Sequence, residues 1–201
     1  MTRPIDFYFD FSSPYGYLAS TGIDRLAARY GRAVKWHPIL LGIVFKTTGG
    51  APVVAAPLKG TYGLRDIERT ARFHDISYKH PSRFPLPTQF AARAMLWLQE
   101  TQGEDKAHEF AQAVYRAYFV DDIDISAPAN VTQIANAMGL DTIAMAEATG
   151  SEPLKERLKG NIETAMARGV FGSPFIVVDD EPFWGFDRFD QIEAYLKNGK
   201  I

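Results

Sequence analysis

Hydrophobic and polar positions divide this chain into three stretches. Residues 5–11, Ile-Asp-Phe-Tyr-Phe-Asp-Phe, alternate with a period of two, which predicts a β-strand. Pro14 follows Ser13 in the arrangement of a helix start, with serine as N-cap and proline at the first helical position. Apolar residues then recur at Leu18, Ile23, Leu26 and Ala27, a helical spacing that stops at Tyr30-Gly31. Residues 33–39 read as a second strand. A β-helix-β unit this short predicts a parallel pair with a right-handed crossover. Residues 40–57, rich in Gly, Thr, Pro and small residues, read as a long loop with room for one short helix.

Helical patterns follow over about 60–75, 88–101, 104–119, 128–138 and 152–168. The third carries Ala107, Phe110, Ala111, Val114, Tyr115 and Tyr118 on one stripe. Strands return at Phe175-Ile176-Val177-Val178 and Pro182-Phe183-Trp184, joined by a turn at Asp179-Asp180-Glu181. A last helix is predicted from Asp187 to Leu196. Each end of the chain carries part of a sheet, so the two ends are expected to combine. The helical block is then an insertion, giving an α/β fold from residues 1–40 and 168–201 with an inserted helical domain over 41–167.

Composition narrows the function. A net charge of −2 with scattered basic residues argues against nucleic-acid binding. No apolar run reaches membrane-spanning length, and residues 1–6 lack the apolar core of a signal peptide, so a cytoplasmic location is expected. The four histidines, His37, His74, His80 and His108, have no metal-ligand spacing. There is no Gly-x-Ser-x-Gly elbow and no Walker or Rossmann glycine pattern. The chain has no cysteine, which excludes disulfide exchange by its own side chains.

Three segments carry candidate chemistry. Ser13 reads as a simple N-cap, or as a hydroxyl that donates to a thiolate held at a helix N-terminus. Ser173-Pro174 precedes an apolar strand. Its peptide bond is either an ordinary trans entry or a cis bond that offers Ser173's backbone N–H and C=O to an extended peptide-like ligand. Asp187 reads as the N-cap of the last helix, or as a carboxylate that meets an ammonium group.

Four segments in order resemble the 2-hydroxychromene-2-carboxylate isomerase family, related to the kappa-class glutathione transferases and, more distantly, to the DsbA-type oxidoreductases. They are Phe9-Asp10-Phe11-Ser12-Ser13-Pro14-Tyr15, Leu58-Lys59-Gly60-x-Tyr62-x-Leu64-Arg65-Asp66-x-Glu68-Arg69, Gly169-Val170-Phe171-Gly172-Ser173-Pro174 and Phe183-Trp184-Gly185-x-Asp187-Arg188. The resemblance spans essentially the whole chain. It implies a thioredoxin-like fold with a helical insertion, a homodimer, and bound reduced glutathione as the source of the thiol, acting on a small aromatic substrate. It makes Ser13 the catalytic serine and Pro174 the cis proline. It assigns Pro14, Ser173, Asp187, Gly49, Gly50 and Lys59 to glutathione's surroundings, with Asp187 at the γ-glutamyl end.

The chain departs from the family pattern at Gly50, where asparagine is usual, at Pro87, where a polar residue, often asparagine, is usual, and at Phe186, where a polar residue is usual. The expected activity is a glutathione-dependent isomerisation. A kappa-like transferase and a non-catalytic thioredoxin-like binding protein are the alternatives.

Overall fold

A computed structural model of the chain describes residues 3–201. Four strands form one sheet: β1 Ile5–Phe9, β2 Val34–Pro38, β3 Phe175–Val178 and β4 Glu181–Trp184, in the order β2-β1-β3-β4. β1 runs parallel to β2, with Phe7 opposite Trp36, and antiparallel to β3, with Phe7 opposite Ile176. β3 and β4 form a hairpin. The two ends of the chain thus complete one thioredoxin-like sheet, as their patterns predict.

The strand period decides which side chains go to which face. Phe7 and Phe9 enter the larger core with Trp36, Phe110 and Tyr115; the two phenylalanines stack on each other, both meet Trp36 edge-on, and Phe9 meets Tyr115 at a tilt. Tyr8, Phe175 and Val177 point to the other face, against Leu158 and Ile162.

Among the described residues ten α-helices pack around this sheet: α1 Pro14–Ser20, α2 Ile23–Ala28, α3 Leu41–Thr48, α4 Lys59–Phe73, α5 Gln89–Thr101, α6 Glu104–Phe119, α7 Pro128–Ala137, α8 Thr142–Gly150, α9 Glu152–Ala167 and α10 Phe189–Asn198. Four differences from the sequence pattern have local causes. β1 stops at Phe9 because the next residues turn: the Ser12 N–H donates to the Asp10 carboxylate and the Ser13 N–H to the Asp10 carbonyl. The first helix breaks in two because the Ser20 and Thr21 hydroxyls bond back to the carbonyls of Tyr17 and Leu18, just before Gly22. α8 has no counterpart in the apolar periodicity, although Asp141 caps it by accepting from the Ile143 and Ala144 N–H groups. α10 starts two residues late, after a 3₁₀ turn over Phe186–Arg188. Arg188 is its N-cap residue, so Asp187 does not cap that helix.

Candidate functional site

Ser13 sits where β1 has ended and α1 begins. Its hydroxyl accepts a hydrogen bond from the Gly16 N–H at 3.0 Å, which is the capping role, and donates to the Ser173 carbonyl at 2.9 Å. Capping therefore uses a lone pair and leaves the proton for a second partner. Pro14 occupies the first helical position, and the first turn of α1 contains no acidic residue. The positive end of the helix is accordingly not offset by an acid on its own first turn.

Ser173 comes from the far end of the chain and the Ser173–Pro174 bond is cis. Its side-chain oxygen accepts from the Asp10 N–H at 3.1 Å. The Pro174 carbonyl accepts from the Gly185 N–H. The expectation that a cis bond would leave both backbone groups of Ser173 to a ligand needs correction, because its carbonyl is held by the Ser13 hydroxyl. Ser13 itself is only 4% exposed.

Gly16 makes this convergence possible. A Cβ there would lie 2.8 Å from both the Ser173 Oγ and the Tyr115 hydroxyl, and 3.1 Å from the Ser13 Cβ. The buried Tyr115 hydroxyl donates to the Asp10 carbonyl at 3.0 Å, and burial pushes its phenol far up.

Asp187 is exposed on the 3₁₀ turn after β4 and touches Arg188 at 3.2 Å. Gly185, just before it, has φ +113°, and a Cβ there would collide with the Asp187 carboxylate. Across from it, Tyr15 of α1 donates to the Asp66 carboxylate of α4 at 2.6 Å. Burial, that bond and the charges of Asp66 and Asp187 all push the Tyr15 phenol up. α1 thus packs against both α4 and the turn bearing Asp187.

Gly49 ends α3 with φ +73°, Gly50 follows it, and Lys59 opens α4. Among the described residues no hydrogen bond joins these three to Ser13 or Ser173. Phe186 is buried beneath the turn, against His74 and Phe189 with ring centroids 4.8 and 5.0 Å apart. An apolar contact accounts for a phenylalanine there. Pro87 lies between Leu86, whose N–H donates to the Ser12 hydroxyl, and Thr88, whose hydroxyl donates to Asp10.

Sequence reasoning missed Asp10, Ser12, Gly16, Thr88 and Tyr115. A signal was available for Asp10 alone: a carboxylate following an aromatic strand and directly preceding Phe-Ser-Ser-Pro. Thr88 and Tyr115 come from distant segments that only folding brings near, and Ser12 and Gly16 lie beside Ser13 with no pattern of their own.

A hollow of about 450 Å³ lies at the opposite end of the sheet, lined by Arg3, Asp6, Lys35, Arg168, Asp179 and Asp180. Arg3 and Arg168 are already paired there, with Asp180 and Asp6. Among the described residues no group of His, Cys, Asp or Glu side chains is placed to hold a metal ion, and no helix is long and apolar enough to cross a membrane.

Comparison with known proteins adds to this geometry. The model of the DSBA-like thioredoxin domain family matches residues 4–197. A 2-hydroxychromene-2-carboxylate isomerase from Sphingobium xenophagum is 33% identical over 199 residues, covering 98% of this chain and 99% of its own. Glutathione S-transferase kappa 1 from Caenorhabditis elegans is 28% identical, over 96% of this chain and 90% of its own. A solved structure of a 2-hydroxychromene-2-carboxylate isomerase superposes with a TM-score of 0.85 at 27% identity, over 96% of this chain and 94% of that one.

Proposed function

The chain belongs to the 2-hydroxychromene-2-carboxylate isomerase family of DSBA-like thioredoxin-domain proteins, and on that premise we propose that it is a glutathione-dependent isomerase of 2-hydroxychromene-2-carboxylate or a related aromatic-degradation intermediate. The observation that carries the reading is Ser13: a hydroxyl at the start of a helix with no acid in its first turn, beside a cis proline, in a chain without cysteine. That donor set fits a thiolate, since it offers a neutral O–H and a positive helix end and no acid in the first turn. When bound, glutathione would supply a thiolate nucleophile that adds reversibly to the substrate and is recovered, with no net redox change.

The residues of the chain do the rest. The Ser13 hydroxyl turns from the Ser173 carbonyl to the sulfur while still accepting from the Gly16 N–H. The same rotation frees the Ser173 carbonyl to pair with the backbone of the extended ligand beside Pro174. Pro14 fixes the helix end at which the sulfur is held. Asp187 receives the ammonium of the γ-glutamyl end, while Gly49, Gly50 and Lys59 line the ligand's other side. A cytoplasmic homodimer belongs to the same reading, and sedimentation would show its dimer.

The test is a glutathione titration by calorimetry with wild type and Ser13→Ala, followed by product analysis. Binding by wild type at millimolar glutathione or below, with an isomer formed and thiol recovered, supports the reading. A wild-type protein that does not bind glutathione overturns it. The likeness to a kappa-class transferase favours one other outcome, a stable thioether product.

A further inference from the structure

Asp10 is a buried carboxylate that the chemistry above does not use. It is 5% exposed and forms no ion pair among the described residues. Its partners are dipoles from three separate elements. Oδ1 accepts from the Ser12 N–H at 2.8 Å and the Thr88 hydroxyl at 2.7 Å, and Oδ2 accepts from the Leu41 N–H at 2.7 Å. Ser12 leads into α1, Leu41 is the first residue of α3, and Thr88 is the N-cap residue of α5.

The backbone of the same residue accepts from the Ser13 N–H and the Tyr115 hydroxyl, and donates to the Ser173 Oγ. One residue therefore ties together the N-terminal ends of three helices, the end of β1 and the segment holding the cis proline. A carboxylate buried without a cation is costly unless hydrogen bonds satisfy it, and such groups hold their donors in fixed places. Burial pushes the Asp10 carboxyl up, while the bonds from Ser12, Leu41 and Thr88 pull it back. The titratable groups facing it are the Tyr115 and Tyr118 phenols.

We propose that Asp10 is a positioning residue of the thiol site, its carboxylate fixing the Ser12-Ser13 turn and the starts of α3 and α5 so that the Ser13 hydroxyl and the N-terminus of α1 face the ligand's sulfur. The role in turnover rests on the glutathione reading; the fixing of the turn does not. Replacement by asparagine keeps the shape but sets an NH₂ against donors. The turn then loses a partner, and Ser13 loses its aim.

Amide hydrogen exchange of Asp10→Asn and of Thr88→Val, with wild type as reference, tests the fixing without any ligand. The Ser12 and Leu41 amides should exchange at least about tenfold faster in Asp10→Asn, with the amides of α9 and α10 unchanged. Thr88→Val keeps the carboxylate and should show the same pattern more weakly, which gives a reading even if the asparagine variant folds poorly. Unchanged protection of Ser12 and Leu41 in a folded variant overturns the proposal, whatever glutathione does.

With glutathione bound by wild type, kcat/KM of folded Asp10→Asn should fall about 100-fold, the scale of an ångström of misplacement. The apparent pKa of the bound thiol should move up, toward that of the free thiol. Loss of a nearby negative charge alone would move it down. A downward shift or an unchanged pH profile therefore also overturns the positioning role, whereas absence of glutathione binding by wild type counts against the functional reading alone.

Discussion

Asp6 and Asp10 lie four residues apart, one in β1 and one just past its end, at opposite ends of the sheet, and the chain satisfies them in opposite ways. Asp10 is buried and takes three neutral donors. Asp6 borders the 450 Å³ hollow and takes charged or chargeable ones: His37 at 2.7 Å and Arg168 at 2.9 Å. At that same end the two residues of the β3–β4 turn, Asp179 and Asp180, have φ +50° and +76°, the positive values a two-residue hairpin turn needs. Each is gripped by a forked arginine, Arg32 on Asp179 and Arg3 on Asp180. These charges keep partial contact with solvent and are matched by side chains that salt can screen, so one end of the sheet is fastened by ion pairs. The other end is fastened by buried dipoles that have no substitute. The proposed thiol site lies at this second end, where buried hydrogen bonds set the geometry.

Asp10→Ala should break that contrast most severely. It orphans the Ser12 and Leu41 N–H groups and the Thr88 hydroxyl, for a loss of about 3 kcal/mol or more in denaturant unfolding, at roughly 1 kcal/mol or more per buried donor. Gly16→Ala comes next. Its Cβ must push apart the Ser173 and Tyr115 hydroxyls, at a cost of about 1–3 kcal/mol of overpacking. Calorimetry on the same variant should show glutathione binding lost out of proportion to stability.

Arg32→Gln, at the other end, should cost about 1–2 kcal/mol, since it removes a forked pair and a bond to the Arg3 carbonyl, and less in high salt. Its pH dependence has a definite sign. The Arg32 bond holds the Asp179 carboxyl below its usual range. Burial pushes the Asp6 carboxyl up, but the bonds from His37 and Arg168 outweigh it and leave it lowered. These groups contribute stability that is present above the unfolded carboxylate pKa, about 3.9, and lost as pH falls through the lower folded values. Asp10 has the reverse sign. Its folded pKa is raised, so its titration removes stability as pH rises from the unfolded value through the folded one. Denaturation curves against pH should therefore show the deficit of Arg32→Gln shrinking in acid and that of Asp10→Asn growing.

Asp180→Gly should change least. It gives up one exposed ion pair and relieves a left-handed backbone, so unfolding should register a neutral or slightly stabilising effect of about 0.5 kcal/mol. A large loss there would mean that the ion-pair end is as rigidly specified as the site end.

The same contrast explains what the sequence disclosed. Local patterns reported local facts: alternation placed β1, the Ser13-Pro14 pair placed the start of α1, and the apolar run 175–178 placed β3. The site was legible as far as it was made of segments with their own signatures, Ser13 and Ser173-Pro174. It was illegible where partners converge from afar. Thr88 and Tyr115 sit in ordinary helical patterns, and nothing near them in sequence says that both reach Asp10. The N-cap reading of Asp187 failed for a local reason, since a 3₁₀ turn moved the start of α10 past it.

The claim that Ser13 holds a borrowed thiolate is tested most directly by following thiolate ultraviolet absorbance of bound glutathione against pH in wild type and Ser13→Ala. Wild type should show the bound thiol ionising well below the free value of about 8.5, and Ser13→Ala should return it most of the way. A bound thiol that ionises at its free value in wild type, or identically in both proteins, would contradict it.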